Sequence, residues 1–348
     1  MKSFSSLYAL CVTLFAGWLT TGCAGNSGET TPQGTCRIQQ YTAVSTSQYT
    51  NSNAQTVYTY DASGNLIKSV ATIDSRPTSN TFGTQLTTTT ITYTYDAAGF
   101  LTGSTSQQQN TIVLPTNATK TEQYTNIASY SYTNGRLTQK VENYSGTYVS
   151  PSGSIRTYEY GSDGNLSSIT ATGLSDKTYS TVWQYRNNQL IDYIEKKGAT
   201  ENRPFTIQDG LITKMVFPGT ENELVVAAAF DNQKRAVRID NYVNNQLTEY
   251  DVQTWTGAKP SSASLPLFKG FPVLTPSSFD AQTGVLATKQ HFNWNTVSKT
   301  MQLYNESKSA VQTNEQGYIT NAVITTTYAV NTGQNTVSTE TYTYAGCQ

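Results

Sequence analysis

The chain reads as an all-β protein: a large antiparallel meander of consecutive β-hairpin repeats, rolled or half-barrel-like, with an irregular Pro-rich crossover near 257–290. Three observations predict this. One hairpin recurs as YTYDASGNL at 58–66, YTYDAAGFL at 93–101, YSYTNGRL at 130–137 and YEYGSDGNL at 158–166. It decays to WQYRNNQL at 183–190, TIQDGLI at 206–212 and AAFDNQKRA at 228–236. The 24 Tyr residues and the many Thr suit half-buried pleated surfaces, and long runs of Ala, Leu, Glu and Lys at helical spacing are absent from the sequence.

The first 22 residues read as a targeting segment rather than structure. Lys2 precedes a mostly apolar stretch from Leu7 to Leu19, which is short for a bilayer span. Leu19-Thr20-Thr21-Gly22-Cys23 resembles a bacterial lipobox, although Thr20 stands where that pattern prefers Leu. The resemblance implies that Cys23 is lipidated and becomes the first residue of a membrane-anchored protein. An ordinary cleaved signal peptide and a retained membrane helix are the alternatives. Residues 23–35 are Gly-, Ser-, Thr- and Asn-rich and read as a flexible tether. Ala24 after the Cys favours the outer membrane, by likeness to bacterial sorting, with the leaflet left open. Residues 36–348 then read as a single hairpin-repeat domain.

Charged residues are 13% of the chain and the formal net charge is −1, against roughly 25% charged in ordinary globular proteins. Nucleic acid is therefore an improbable partner. With Cys11 in the leader and Cys23 lipidated, Cys36 and Cys347 remain, at the two ends of the domain. Outside the cytosol this pattern predicts a disulfide, which would stabilise by roughly 4–5 kcal/mol in the chain-entropy model. Two independent buried thiols are the alternative.

The turns set the register. In DASG at 61–64, Asp61 accepts backbone hydrogen bonds and Gly64 takes the positive φ of a bulged type I turn. That loop places Tyr60 opposite Leu66, and likewise Tyr95 opposite Leu101 and Tyr160 opposite Leu166. The two-residue Asn134-Gly135 turn places Tyr132 opposite Leu137, so two loop lengths give one cross-strand pair. The same counting sets Tyr185 against Leu190, Ile207 against Ile212 and Thr313 against Ile319. These turns belong at one end of a sheet of a dozen to sixteen strands. YVNNQLTEY at 242–250 echoes YRNNQLIDY at 185–193, and the strand from Ala236 to Tyr242 needs either a bulge or a misplaced turn, since Val237 and Ile239 fall opposite in parity to Tyr242. Pro260, Pro266, Pro272 and Pro276, with Leu265, Leu267, Phe268, Phe271 and Phe279, cannot form a ladder strand. They read as a cap packed across the sheet, with a linker or a lid as alternatives. The final Tyr342–Tyr344 strand should pair near the first.

The repeats resemble the YD repeats of RHS-type proteins and of short lipoproteins of the Bacteroidetes, clearly over 58–236 and weakly over 300–344. The order of lipobox, tether, Cys, hairpins, proline-rich interruption, Tyr-x-Tyr strand and Cys is similar to the short lipoprotein class. That class brings no assigned activity to particular residues.

Catalytic chemistry is poorly provided for. His291 is the only histidine and stands in HFNW, which reads as a strand beside Phe292 and Trp294. Cys/His metal sites lack ligands, and no nucleotide-binding or HExxH pattern occurs, so no catalytic residue, metal or cofactor is expected. The pairs Tyr58/Tyr60, Tyr93/Tyr95, Tyr130/Tyr132 and Tyr158/Tyr160 each share a face. They are either wall packing or a ligand platform. A continuous register would set Tyr58 against Lys68, Tyr130 against Gln139 and Tyr158 against Ser168, which suggests a wet face and a glycan or envelope-protein ligand. The expectation is a non-enzymatic, lipid-anchored envelope protein that binds or scaffolds. The alternative is a surface carbohydrate-active hydrolase using paired carboxylates.

Overall fold

The computed structural model describes residues 36–47, 50–77, 83–217, 223–274, 284–329 and 335–347. The leader, Cys23 and the tether lie outside the described residues, as do Pro276 and Phe279. The strands are β1 (Arg37–Ser47), β2 (Thr50–Tyr60), β3 (Leu66–Pro77), β4 (Thr84–Tyr95), β5 (Leu101–Val113), β6 (Thr119–Thr133), β7 (Arg136–Gly146), β8 (Val149–Tyr160), β9 (Leu166–Gly173), β10 (Tyr179–Arg186) and β11 (Gln189–Lys197). They continue as β12 (Thr200–Asn202), β13 (Phe205–Gln208), β14 (Leu211–Phe217), β15 (Leu224–Phe230), β16 (Ala236–Val243), β17 (Gln246–Trp255), β18 (Leu286–Asn295), β19 (Thr300–Thr313), β20 (Ile319–Tyr328) and β21 (Thr336–Ala345).

All 21 belong to one antiparallel sheet. Each strand pairs with its neighbours in the chain, except that β12 and β13 share no ladder, and β1 pairs with both β2 and β21. The linear order therefore runs β13 to β21, then β1 to β12. Its two edges are successive pieces of one stretch, parted only by Arg203 and Pro204. A proline has no N–H to give a ladder, which accounts for the break. Across it Tyr193 stacks on Phe205 at 4.3 Å, and Arg203 Nε donates to Asp192 at 3.2 Å. The ladder is open at this seam, yet the sheet returns on itself, as a large twisted meander must. The strand count exceeds the dozen to sixteen expected. The returns between β1 and β2 and between β18 and β19 carry no Asp-Gly or Asn-Gly signature, and Pro204 splits one strand in two.

Every predicted pair next to a turn is present: Tyr60–Leu66, Tyr95–Leu101, Tyr132–Leu137, Tyr160–Leu166, Tyr185–Leu190, Ile207–Ile212 and Thr313–Ile319. Leu101 and Leu137 are fully buried, at 0% exposure. The turn chemistry is as expected. Asp61 Oδ1 accepts from the Asn65 N–H at 2.8 Å, and Gly64 sits at φ +84°. The pattern also runs further than the motif. Phe230 faces Ala236, Trp255 faces Leu286 across the whole Pro-rich crossover, and Tyr344 faces Ile38. In that last pair the Cys36–Cys347 disulfide, with Cα atoms 4.2 Å apart, stands where the other hairpins have a turn. The chain's two ends thus complete one split hairpin.

Each hairpin carries a β-bulge one residue past the leucine position. Tyr60 faces Leu66, but Thr59 faces Lys68, leaving Ile67 over. Thr102, Thr138 and Ser167 are the extra residues in the next three. This corrects the expected partners of the second row of rings. Tyr58 faces Ser69, not Lys68; Tyr130 faces Lys140, not Gln139; Tyr158 faces Ile169, not Ser168. The inserted residue shifts every later position by one, and a shift of one exchanges the faces of a strand.

The bulge also explains the tyrosines. The β3–β4 ladder starts at Lys68, so the Leu66 carbonyl takes no backbone partner from β4. The Tyr95 hydroxyl donates to it at 2.7 Å. In the same way Tyr60 donates to Ile38 O, Tyr132 to Leu101 O, Tyr160 to Leu137 O and Tyr344 to Ile319 O, at 2.7–2.9 Å. Trp255 Nε1 does so to Ala236 O at 2.7 Å. Each ring therefore ties its hairpin to the previous one, satisfying a carbonyl the ladder has left.

The face bearing these rings is the more buried one, visible in the alternation of half-buried Tyr58 and Tyr60 with exposed Val57 and Thr59. The Pro-rich crossover lies along it, so we call it the inner face. After Trp255 the crossover forms one 3₁₀ turn at Ser261–Ser264 and otherwise irregular chain. It meets Ile319 through backbone bonds of Lys259, receives the Ile38 N–H on Ser264 Oγ, and reaches Leu137, whose N–H donates to Gly270 O. Phe268 rests on Tyr93 at 5.7 Å and Phe271 on Tyr130 at 5.5 Å. The segment thus packs over the inner face at the turn end, as the cap reading requires.

The parity of β16 is explained by a bulge and by the end of the sheet at which its turn lies. The bulge expected in β16 is present at Val237 and carries Ile239 to the inner face beside Ala228. Tyr242 remains outward, because the Asn244-Asn245 turn lies at the opposite end of the sheet from Asn187-Asn188. The resemblance of 242–250 to 185–193 is thus one of sequence and not of place.

Candidate functional site

The eight tyrosines singled out from the sequence line the inner face, but they do not form an open platform. Tyr60, Tyr95, Tyr132 and Tyr160 are committed through their hydroxyls to backbone carbonyls. Tyr93 and Tyr130 lie under Phe268 and Phe271, and Tyr130 shares a 3.2 Å hydrogen bond with Ser104. Burial pushes Tyr130 and Tyr160 up to about 12 and raises Tyr58, Tyr93 and Tyr158 as well. At the turn end these rings are wall.

The inner face changes further from the turns, on β5 to β8. Tyr124 of β6 lies flat on Gly146 of β7, where a Cβ would collide with its ring. Tyr144 lies beside it, centroids 6.3 Å apart and planes within 14°. The two rings run nearly parallel to one another. Tyr124 donates to Glu122 at 3.0 Å, and Glu122 holds Lys120 at 2.7 Å. The neighbouring inward positions on β5 are Gln108 and Asn110, joined at 3.0 Å. None of the described crossover contacts reaches this region.

Two residues nearer the turns, a strand step of about 7 Å, a charged cluster continues the strip. Lys140, only 4% exposed, sits 2.8 Å from Glu142 Oε1. Arg156, the cross-strand partner of Lys140, stands 3.8 Å from Glu142 Oε2. Burial lowers the Lys140 pKa, and the Glu142 charge only partly offsets it. Burial opposes the Glu142 carboxylate too, but Lys140 and Arg156 outweigh it and hold its pKa below the ordinary value. Asn126 Oδ1, alongside, is buried without a hydrogen-bond partner.

The sequence reading missed this strip. Tyr124 and Tyr144 lie outside the Tyr-x-Tyr motif, and Lys140 and Glu142 fall on the inner face only because the bulge at Thr138 puts them there. An even alternation through EQYTNIASYSY, six residues from Tyr124 to Tyr130, was the available signal for the first ring.

His291 is a strand residue, but Phe292 and Trp294 occupy the opposite face. Its Nδ1 lies 2.7 Å from Asp251 Oδ1, and Lys289 reaches the other oxygen at 3.0 Å. Burial raises the Asp251 pKa, while the His291 hydrogen bond and Lys289 overcome it and leave a net lowering. Among the described residues no three His, Cys, Asp or Glu side chains converge to hold a metal.

No family model matches the chain, and no curated protein matches it. Among solved structures, it is similar to a porin-like protein from Bacteroides uniformis at 12% identity and a TM-score of 0.35, over 91% of this chain and 98% of that one. It is also similar to a DUF4623 family protein from Bacteroides eggerthii at 8% identity and a TM-score of 0.18, over 89% of this chain and 100% of that one. At these scores the likeness carries no argument about function.

Proposed function

We propose that this chain is a lipid-anchored protein of the bacterial cell envelope, held through Cys23 at the outer membrane, that binds glycans without transforming them. The observation that carries the binding reading is the parallel Tyr124/Tyr144 ring pair, clear of the described crossover contacts and flanked by Glu122, Asn110 and Gln108. Flat rings beside amides and carboxylates match the alternating apolar faces and hydroxyl rims of sugars. The outer face of β2 and β3 bears Asn51, Asn53, Gln55, Lys68 and Arg76, all exposed. A barrel embedded in lipid needs the reverse, apolar outside and polar within, so an acyl anchor is the membrane attachment that suits this sheet.

The hydrolase alternative needs one carboxyl group with a raised pKa to serve as acid. Glu122, Glu142 and Asp251 on the inner face are all shifted downward by their partners. These three carboxyl groups are therefore not prepared to serve as that acid.

All 21 strands and both disulfide cysteines lie within 36–347, so a protein beginning at residue 36 keeps every contact described. Presented to an array of envelope and capsular glycans, it should retain a subset, and the Y124A/Y144A double variant should lose it. An array with no retained glycan, or retention unchanged by the double variant, overturns the reading. Fatty-acid labelling of the full chain that survives C23S would overturn the anchor.

A further inference from the structure

Resting on the glycan reading, we infer that the inner-face strip selects acidic saccharides, with Arg156 receiving the sugar carboxylate. Two cations, Lys140 and Arg156, face one carboxylate there. Glu142 is spent on Lys140, at 2.8 Å, and its other oxygen is 3.8 Å from Arg156, beyond hydrogen-bond reach. A guanidinium carries five N–H donors in a rigid fork. Among the described residues those of Arg156 meet that distant oxygen and the Tyr158 hydroxyl. Its side chain is 30% exposed, so it is neither sealed in the wall nor freely hydrated.

A part-buried fork with donors to spare fits a carboxylate in two parallel hydrogen bonds, the strongest pairing such a group makes. The inward neighbours of Arg156 are Lys140 and Ala171 across the sheet and Tyr158 and Ser154 along it. The small pair, Ala171 and Ser154, marks the side from which a ligand would approach the fork. The Tyr144 ring begins one strand step beyond Glu142, so one sugar on the ring pair and its acidic neighbour on Arg156 span a disaccharide. Arg156 touches the ligand directly. Lys140 acts through Glu142 and is a positioning residue.

The test uses the full chain in detergent and titration calorimetry with two probes, an oligogalacturonate and its carboxyl-reduced neutral counterpart. The wild-type chain should bind the acid at least about tenfold more tightly. The R156Q variant should bring the acid down to the level of the neutral probe, while R156K, which keeps charge but not the fork, should fall between them. Equal affinity of the wild type for both probes, or unchanged preference in R156Q, overturns the carboxylate assignment and leaves glycan binding standing. Binding of neither probe, together with an empty array, removes the glycan reading and this assignment with it. The wild-type comparison needs no variant to fold.

Discussion

Removing one oxygen from Tyr95 tests the tie between hairpins. The hydroxyl donates to the Leu66 carbonyl at 2.7 Å, a carbonyl outside the β3–β4 ladder because that ladder begins at Lys68. In Y95F the ring keeps its volume and its place against Leu101, so only the hydrogen bond goes. A buried carbonyl left without its partner costs about 1–3 kcal/mol, a roughly 5- to 150-fold rise in the unfolded fraction. Tyr58 supplies the comparison. Its ring is on the same face, but its hydroxyl has no hydrogen-bond partner among the described residues, and Y58F should change stability by no more than about 0.5 kcal/mol. Urea unfolding followed by far-UV circular dichroism measures both, and the slopes should match the wild type, since surface exposure on unfolding is unaltered. Equal midpoints for Y95F and Y58F would refute the argument that the phenols serve carbonyls stranded by the bulges.

Other outcomes follow from the same structure. Replacing both Cys36 and Cys347 by Ser should lower stability by about 6 kcal/mol at most, the chain-entropy limit for a bridge across 311 positions, read as a shift in the denaturation midpoint under oxidising conditions that vanishes when the wild type is reduced. E142Q should cost about 3–5 kcal/mol because it leaves Lys140 charged and buried without its carboxylate, and the K140M/E142L pair should recover much of that loss. Since the Glu142 pKa is lowered in the folded protein, its contribution is present above the ordinary carboxylate value and is lost as pH falls through the native one; acid unfolding of E142Q should therefore be less steep. The buried phenols behave in the opposite sense. Their folded values lie above 10, so above pH 10 the unfolded chain loses protons that the folded chain keeps, and stability falls as pH rises. For Tyr130, with a native value of about 12, the loss reaches about 2–3 kcal/mol by pH 12. Phenolate absorbance should appear together with unfolding, and early titration of Tyr58, Tyr93, Tyr130 and Tyr158 in the folded state would contradict their burial.

The hairpin register was legible because turn length and the Tyr–Leu pair constrain each other. Asp-Ala-Ser-Gly and Asn-Gly loops both deliver Tyr opposite Leu, and the structure keeps that pairing where Ile, Trp or Thr replaces Tyr. The bulge after each leucine was not legible. Nothing distinguishes Ile67 or Thr138 from its neighbours, and a residue is left over only because the next hairpin's tyrosine must reach the leucine carbonyl. That one residue decides which side Lys68, Lys140 and Ile169 occupy, so the candidate site moved from the Tyr-x-Tyr rows to Tyr124, Tyr144 and Arg156. The Trp255–Leu286 pair was equally hidden, since its two halves are parted by the whole crossover and only the cyclic count of hairpins reveals the match.

The split hairpin of Tyr344 and Ile38 bears on how the molecule is made. A chain synthesised from its N-terminus produces β1 first and its second neighbour last. Until Thr336–Ala345 arrives, β1 keeps one bare side and so does β20, two long templates for mispairing with other chains. The final contact joins residues some three hundred positions apart, which is slow on topological grounds. Closure is therefore a late event that thiol oxidation then makes permanent, and a molecule cut short by its last strand would be left with both templates open.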